Sequence, residues 1–334
     1  MQIREIDKSD DDLMARMYAV VTASQSVERP FFTPQPQDAA ISDLRHVDPG
    51  ERCDLLGVFD ADELVGVVTL WMGLTDNVDT AWMQLDVHPD HRRRGAGAAA
   101  ISVALAHCAS LGRTRAVGSA RYPESRAEDH PNRRFAERHG FRLGSVDINR
   151  RLALPVPPAR ATALLEQARA AYEGDYRIDT FTEIPEELLA PLCACINRVE
   201  VEAPTGEIEW EEESLTPERL RGYAALDRQS GRLRFTSIAR QVATGTVAGY
   251  TDLFVTGAMT RAMQSGTFVV GEHRGRRLGL GLKLANLAAL QEARPQVREI
   301  FTGNNSANLP MVAVNEALGF QPVEIIGEFY RSAP

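Results

Sequence analysis

Apolar positions recur along this chain with two periods, and the switches between them mark out its elements. Alternation with a period of two predicts strands at residues 2–6, 53–59, 63–71, 80–87, 114–120 and 142–154, with Asp60-Ala61-Asp62 turning the 53–71 hairpin. Helical spacing predicts helices at 10–24, 98–110 and 132–139, the first started by aspartate caps. Residues 28–36 are broken by prolines and read as loop. At Pro155-Val156-Pro157-Pro158 the pattern stops, and a helical connector follows at 159–172. It then restarts, with strands at 176–182, 232–242, 246–255, 266–270, 299–303 and 322–330. Helices alternate with them at 186–199, 217–230, 280–293 and 308–318. The class is α/β, in the α+β sense. Two domains are expected, 1–154 and 176–334, joined by a linker at 155–175.

Composition narrows this only a little. A chain of 334 residues, 44% hydrophobic and 25% charged, suits two globular domains. No apolar run reaches the ~20 residues that cross a bilayer, so no membrane partner is expected. The first residues lack the form of a secretory signal. The cysteines, Cys53, Cys108, Cys193 and Cys195, show neither a disulfide framework nor zinc spacing. They read as core residues in a reducing cytoplasm, and no metal is expected. The net charge of −9 argues against nucleic acid. Lysine occurs only at Lys8 and Lys283. That scarcity, with abundant arginine and alanine, suggests a high-GC bacterial genome.

The chemistry begins where strand 80–87 ends. After Leu85, Asp86 and Val87 comes His88-Pro89-Asp90-His91-Arg92-Arg93-Arg94-Gly95-Ala96-Gly97, and the helix follows from Ala98. A helix start presents N–H groups without intrahelical partners and the positive end of the helix dipole. Glycines let the backbone approach an anion, and arginines draw one in, so the loop reads as a phosphate cradle. It recurs as Val269-Val270-Gly271-Glu272-His273-Arg274-Gly275-Arg276-Arg277-Leu278-Gly279. Aligning His91 with His273 pairs Val87 with Val269, Arg92 with Arg274 and Gly97 with Gly279, and sets Arg277 where Gly95 stands. A shifted register, Arg276-x-x-Gly279-x-Gly281, restores both glycines, and spacing alone does not choose between the two. Such a repeat implies duplicated domains.

The pattern Arg92-x-x-Gly95-x-Gly97 resembles the pyrophosphate loop of the GNAT N-acetyltransferase superfamily. Downstream, Asn308-Leu309-Pro310 through Leu318-Gly319-Phe320 resembles that superfamily's asparagine-led helix ending in Gly-Phe. Asn132 through Gly140-Phe141 is a shorter analogue. The chain is thus similar in layout to mycothiol synthase and related two-domain actinobacterial acetyltransferases. The resemblance implies two tandem GNAT-like domains, each with a mixed, mainly antiparallel sheet flanked by helices. It implies acetyl-CoA as cosubstrate, a small and in one reading cationic amine as acceptor, and direct attack in a ternary complex by a monomer or homodimer. Cofactor contacts would come from Leu85, Val87 and residues 92–98, and in the second half from Val269, residues 274–279, Asn304 and Asn308.

Catalytic candidates are fewer. By the period of two, Asp86 faces away from Leu85 and Val87, either toward an acceptor or into a surface ion pair. Asn308 and Asn315 are candidates in the second half. The superfamily's tyrosine acid would fall one helical turn before Gly-Phe, where this chain has Ala136 and Asn315. That gap keeps open an alternative in which one or both halves bind CoA without turnover. Glu272 is expected to pair with Arg274 or Arg276. The acidic stretch 207–213 is either a solvated loop or an acceptor surface of the second half. The fuller asparagine segment there leads us to expect catalysis in the second half.

Overall fold

The alternating first half forms a ladder in the computed structural model, in which residues 1–202, 206–211 and 214–332 are described. β1 (Gln2–Glu5), β2 (Glu51–Asp60), β3 (Glu63–Gly73) and β4 (Thr80–Val87) pair antiparallel in sequence order. α1 (Asp11–Ser26) is capped by Asp10, whose side chain accepts from the Leu13 N–H at 2.9 Å. Its Leu13, Met14, Met17 and Val20 pack on Leu55, Phe59, Leu64 and Val67 of the hairpin, each such burial worth roughly 1.5–3 kcal/mol. α2 (Gln37–Arg45) was not expected: it buries only Ala39 and Ile41 and has no side-chain cap.

After α3 (Ala96–Ser110), β5 (Arg115–Tyr122) returns parallel to β4. α4 (Pro131–Arg138), β6 (Arg142–Ala153) and α5 (Pro158–Tyr172) follow. Then come β7 (Tyr176–Phe181), α6 (Glu186–Asn197), α7 (Val199–Glu202), α8 (Pro217–Gln229) and the hairpin of β8 (Arg232–Gln241) with β9 (Val247–Thr256). β10 (Arg261–Val269), α9 (Leu278–Ala293), β11 (Glu299–Asn305), α10 (Leu309–Leu318) and β12 (Gln321–Ser332) complete the chain. β10 pairs antiparallel with β9 and parallel with β11, repeating the β3–β4–β5 pattern. Among the described residues no helix is long and apolar enough to cross a membrane.

The compact units do not follow the linear division at the proline run. Unit 1 comprises Met1–Val146, Gly206–Glu209 and the chain from Glu324; unit 2 comprises Asp147–Thr205 and Trp210–Val323. Each unit takes a strand from the other half of the sequence. In unit 1, Ile325 to Ser332 of β12 pair antiparallel with β5. In unit 2, Asp147 to Ala153 of β6 pair antiparallel with β11. Strand periodicity says that a segment joins a ladder but not which one, so the boundaries inside β6 and β12 leave no mark in the sequence.

The acidic stretch is divided too. Glu207 and Glu209 belong to unit 1, where the Glu207 N–H donates to the Gly144 carbonyl at 2.9 Å and Ile208 is 1% exposed. Ile208 is thus the anchor of this segment in unit 1, whereas Trp210 and Glu211 belong to unit 2. Glu212 and Glu213 lie outside the described residues.

Candidate active site

β4 and β5 pair from Thr80↔Arg115 to Met83↔Gly118, and the pairing stops there. Where they part, a cavity of about 570 Å³ opens in unit 1. One wall is the basic loop. A short 3₁₀ turn, Pro89–His91, leads to Arg92, whose Nε donates to the Val87 carbonyl at 3.0 Å. Its Nη2 donates to the Ser24 carbonyl and hydroxyl at 3.1 and 3.0 Å, so Arg92 ties the loop to β4 and α1. Arg93 (φ +64°) and Gly95 (φ +88°) turn the chain left-handed, and α3 starts at Ala96, earlier than the expected Ala98. α3 has no side-chain cap, which leaves its first N–H groups free for an anion. A Cβ at Gly95 would meet nothing within 4 Å, whereas one at Gly97 would come within 3.2 Å of Phe135.

The other wall carries Asp86, which faces α1. It is 2% exposed; Oδ1 accepts from Gln25 Nε2 and Oδ2 from Gln84 Nε2, each at 2.7 Å. Burial pushes its pKa above the ordinary carboxylate value, and the hydrogen bonds and the charge of Arg121 oppose that rise. Leu85, Val87, Gly97, Ala98, Ile101, Ala120, Ala136 and Phe329 also line the cavity. α4 begins at Pro131, capped by the imidazole of His130, which accepts from the Asn132 N–H at 3.3 Å; Asn132 itself is not the cap.

In unit 2 the loop backbone repeats. Arg274 Nε donates to the Val269 carbonyl at 2.9 Å, Gly275 has φ +82°, and Arg277, with φ +54°, is the N-cap of α9. Leu278 opens the helix and is buried. The histidine register is therefore the one adopted, with Arg277 at the place of Gly95. Gly281 instead lies against α5, where a Cβ would be 2.7 Å from Tyr172. Carboxylates crowd this loop. Glu202 accepts from the Gly271 N–H at 3.0 Å and from Arg274 Nη2 at 2.9 Å. Glu272 pairs with Arg198, at 3.1 Å, rather than with Arg274 or Arg276. Arg276 donates to the backbone carbonyls of Glu272 and Arg274.

The cavity floor differs more than the loop. In the histidine register Asp86 corresponds to Phe268, a core residue packed with Leu188 and Leu192, and Ile101 corresponds to Lys283. Matching the Gly-Phe helix ends sets Asn315 at the place of Ala136. Matching the parallel ladders sets Asn304 at Ala120 and Arg150 at Phe329. These substitutes form one buried network. Lys283 Nζ donates to Asn315 Oδ1 at 2.8 Å, and Asn315 Nδ2 and Arg150 Nη1 each donate to Asn304 Oδ1 at 2.9 Å. Burial, with the nearby Arg150 charge, lowers the Lys283 pKa to about 7. Asn308 caps α10, accepting from the Met311 N–H at 3.3 Å. Of the candidates Asp86, Asn308 and Asn315, Asp86 thus lies in unit 1 and the two asparagines in unit 2, where they cap a helix and fill a core.

Residues 18–141 match the acetyltransferase (GNAT) family. Among solved structures, a tandem GNAT protein from the clavulanic acid biosynthesis pathway is 26% identical, with a TM-score of 0.80 over 100% of this chain and 98% of that one. A GCN5-related N-acetyltransferase from Sphaerobacter thermophilus shares the fold at 16% identity, with a TM-score of 0.66 over 100% of this chain and 96% of that one. So does a glucosamine N-acetyltransferase region of a fungal multi-domain β-N-acetylglucosaminidase, at 15% identity and a TM-score of 0.66, over 99% of this chain and 38% of that one. No curated protein sequence matches. A GNAT acetyltransferase domain thus spans most of unit 1, and the chain as a whole has the layout of a tandem GNAT protein, which supports an acyltransferase.

Proposed function

We propose that unit 1 transfers an acetyl group from acetyl-CoA to the primary amine of a small acceptor. The observation that carries this reading is the buried carboxylate of Asp86 in a cavity walled by the uncapped start of α3. The free N–H groups at 96–98, with exposed Arg93 and Arg94 beside them, fit a pyrophosphate. The parted edges of β4 and β5 offer backbone groups to the pantetheine arm. On the α1 side, Asp86 takes a proton from the acceptor ammonium. Its raised pKa brings it nearer working pH and makes it a better base. The neutral amine attacks the thioester carbonyl, so the N–C bond forms and the C–S bond breaks. The proton that the nitrogen loses on becoming an amide passes through water to the leaving thiolate, since Ala136 offers none.

Unit 2 is read as a non-catalytic partner. Phe268 replaces the base, and the Lys283–Asn315–Asn304–Arg150 network fills the place of the cavity liners. This reverses the expectation of a catalytic second half. The test is thiol release from acetyl-CoA against a panel of amines, using Gly95→Leu and Gly279→Leu proteins. Turnover is expected to fall only in the first; a loss confined to the second would move the centre to unit 2.

A further inference from the structure

The α1 side of the unit 1 cavity carries charges of both signs, and most are already matched. Glu28 is held by His130 Nε2 at 2.9 Å and by Arg126 at 3.1 Å. Arg29 forms a two-pronged pair with Glu324, at 2.6 and 2.9 Å. Two charged groups remain. Asp86 is bonded only by neutral groups, the Gln25 and Gln84 amides and Ser24. The Arg121 guanidinium has no hydrogen bond or ion pair within 4 Å among the described residues, with Glu324, Asp86 and Glu328 acting on it only electrostatically. Arg121 pairs with Ile326 across the ladder, so it shares a sheet face with Glu324 and hence with Arg29. Each acts on the other electrostatically. A lone cation and a lone carboxylate, too far apart to bond yet lining one cavity, complement a zwitterion placed between them.

Resting on the reading of unit 1 as the transfer centre, we propose that its acceptor is an amino acid, with its carboxylate on Arg121 and its ammonium on Asp86. Burial away from water is what makes an unpaired guanidinium expensive, and a planar fork suits a carboxylate. The matched pair Arg29–Glu324 closes that side, so the acceptor's two charged groups meet their partners without competition from an outer ion pair.

The experiment compares three forms of the same acceptors: free amino acids, their C-terminal amides and the decarboxylated amines. Thiol release from acetyl-CoA is measured with wild-type, Arg121→Lys and Arg121→Leu proteins. Wild type is expected to prefer the free acids by about tenfold to hundredfold in kcat/KM, the range of a charge-assisted bond. Arg121→Leu should lose that preference, mainly through KM, and Arg121→Lys should recover part of it. Acetyl-CoA affinity, measured by calorimetry, should stay as in wild type, which also shows that the variants fold. Equal turnover of acids, amides and amines by wild type overturns the proposal and leaves the transfer centre standing. An unchanged preference in Arg121→Leu overturns it likewise. Silence toward every amine, with acetyl-CoA bound, overturns the transfer centre itself, and the proposal with it.

Discussion

Ile101, Ala120, Ala136 and Phe329 of unit 1 line a cavity of about 570 Å³. The corresponding positions of unit 2 carry Lys283, Asn304, Asn315 and Arg150, bonded to one another at 2.8–2.9 Å. The loops above these floors are close copies: both arginines that follow the 3₁₀ turn grip the preceding strand's carbonyl, and both helices start from a left-handed residue. The units differ instead in the space beneath the loop and in what the neighbouring strand presents there, a carboxylate in one unit and a phenylalanine in the other. On the function proposed above, that difference and not the loop makes the site.

The comparison breaks most directly at Asp86. Asp86→Asn should lower kcat/KM by about 10²–10⁴, the usual weight of a general base, while Phe268→Leu leaves turnover within twofold. In wild type the rate should fall as pH drops through the raised Asp86 pKa, and Asp86→Asn should lack that limb. Stability moves the other way. With its folded pKa raised, Asp86 costs nothing below the unfolded value of 3.8, loses stability as pH rises from there to the folded value, and carries the full loss above it. Asp86→Asn should therefore melt higher than wild type at neutral pH and alike near pH 3. Equal melting at both would mean that the carboxylate is not buried as an anion.

Next in size are the loops. Gly95→Leu forces a branched side chain into φ +88°, a conformation costing about 1–2 kcal/mol, and crowds the free N–H groups of α3. Acetyl-CoA affinity should fall at least about tenfold. Gly279 lies in the matching helix turn of α9, with nothing within 4 Å of its would-be Cβ and no left-handed φ. Gly279→Leu should leave affinity and a stoichiometry of one per chain unchanged. A wild-type stoichiometry of two would show that the filled floor of unit 2 admits the ligand, and would weaken the contrast between the halves.

How much of this could be read from sequence follows from range. Strand alternation and glycine-marked loops are local, so the ladder elements and both basic loops lie close to where the periodicity puts them, except that β10 begins at Arg261, five residues before the expected 266. The period of two also turned Asp86 away from Leu85 and Val87, and α1 is what it faces. Arg121 carries no such mark. It is one arginine among many, and only the cross-strand register with Ile326 reveals its company. The Lys283 network is equally silent, because its members come from β6, α9, β11 and α10 and meet only after folding. Lysine scarcity was the available signal: a chain that otherwise uses arginine places one of its two lysines in a core. α2 was missed because a short helix burying only Ala39 and Ile41 has almost no periodic pattern to show.

The smallest effect expected is on stability, and it asks whether unit 2 can be made to resemble unit 1. Lys283→Ile with Asn315→Ala gives unit 2 the residues found at Ile101 and Ala136. The Lys283 pKa falls from 10.5 to about 7 on folding, so above the unfolded value the amine is neutral in both states and burial brings no ionic penalty. As pH falls from 10.5 toward 7, the unfolded chain takes up a proton that the folded one refuses, and stability is lost over that window. Below about 7 the loss is complete and amounts to a few kcal/mol at most. Wild type should therefore gain stability as pH rises from 7 toward 10, and the double variant should lack that component. Any cavity left by trimming Asn315 costs the same at every pH, so the difference in slope isolates the lysine. Each kcal/mol recovered at pH 7 corresponds to about 2–4 °C in melting temperature. Parallel slopes for the two proteins would mean that Lys283 stays charged in the folded core, and that an anion rather than Asn315 is its partner.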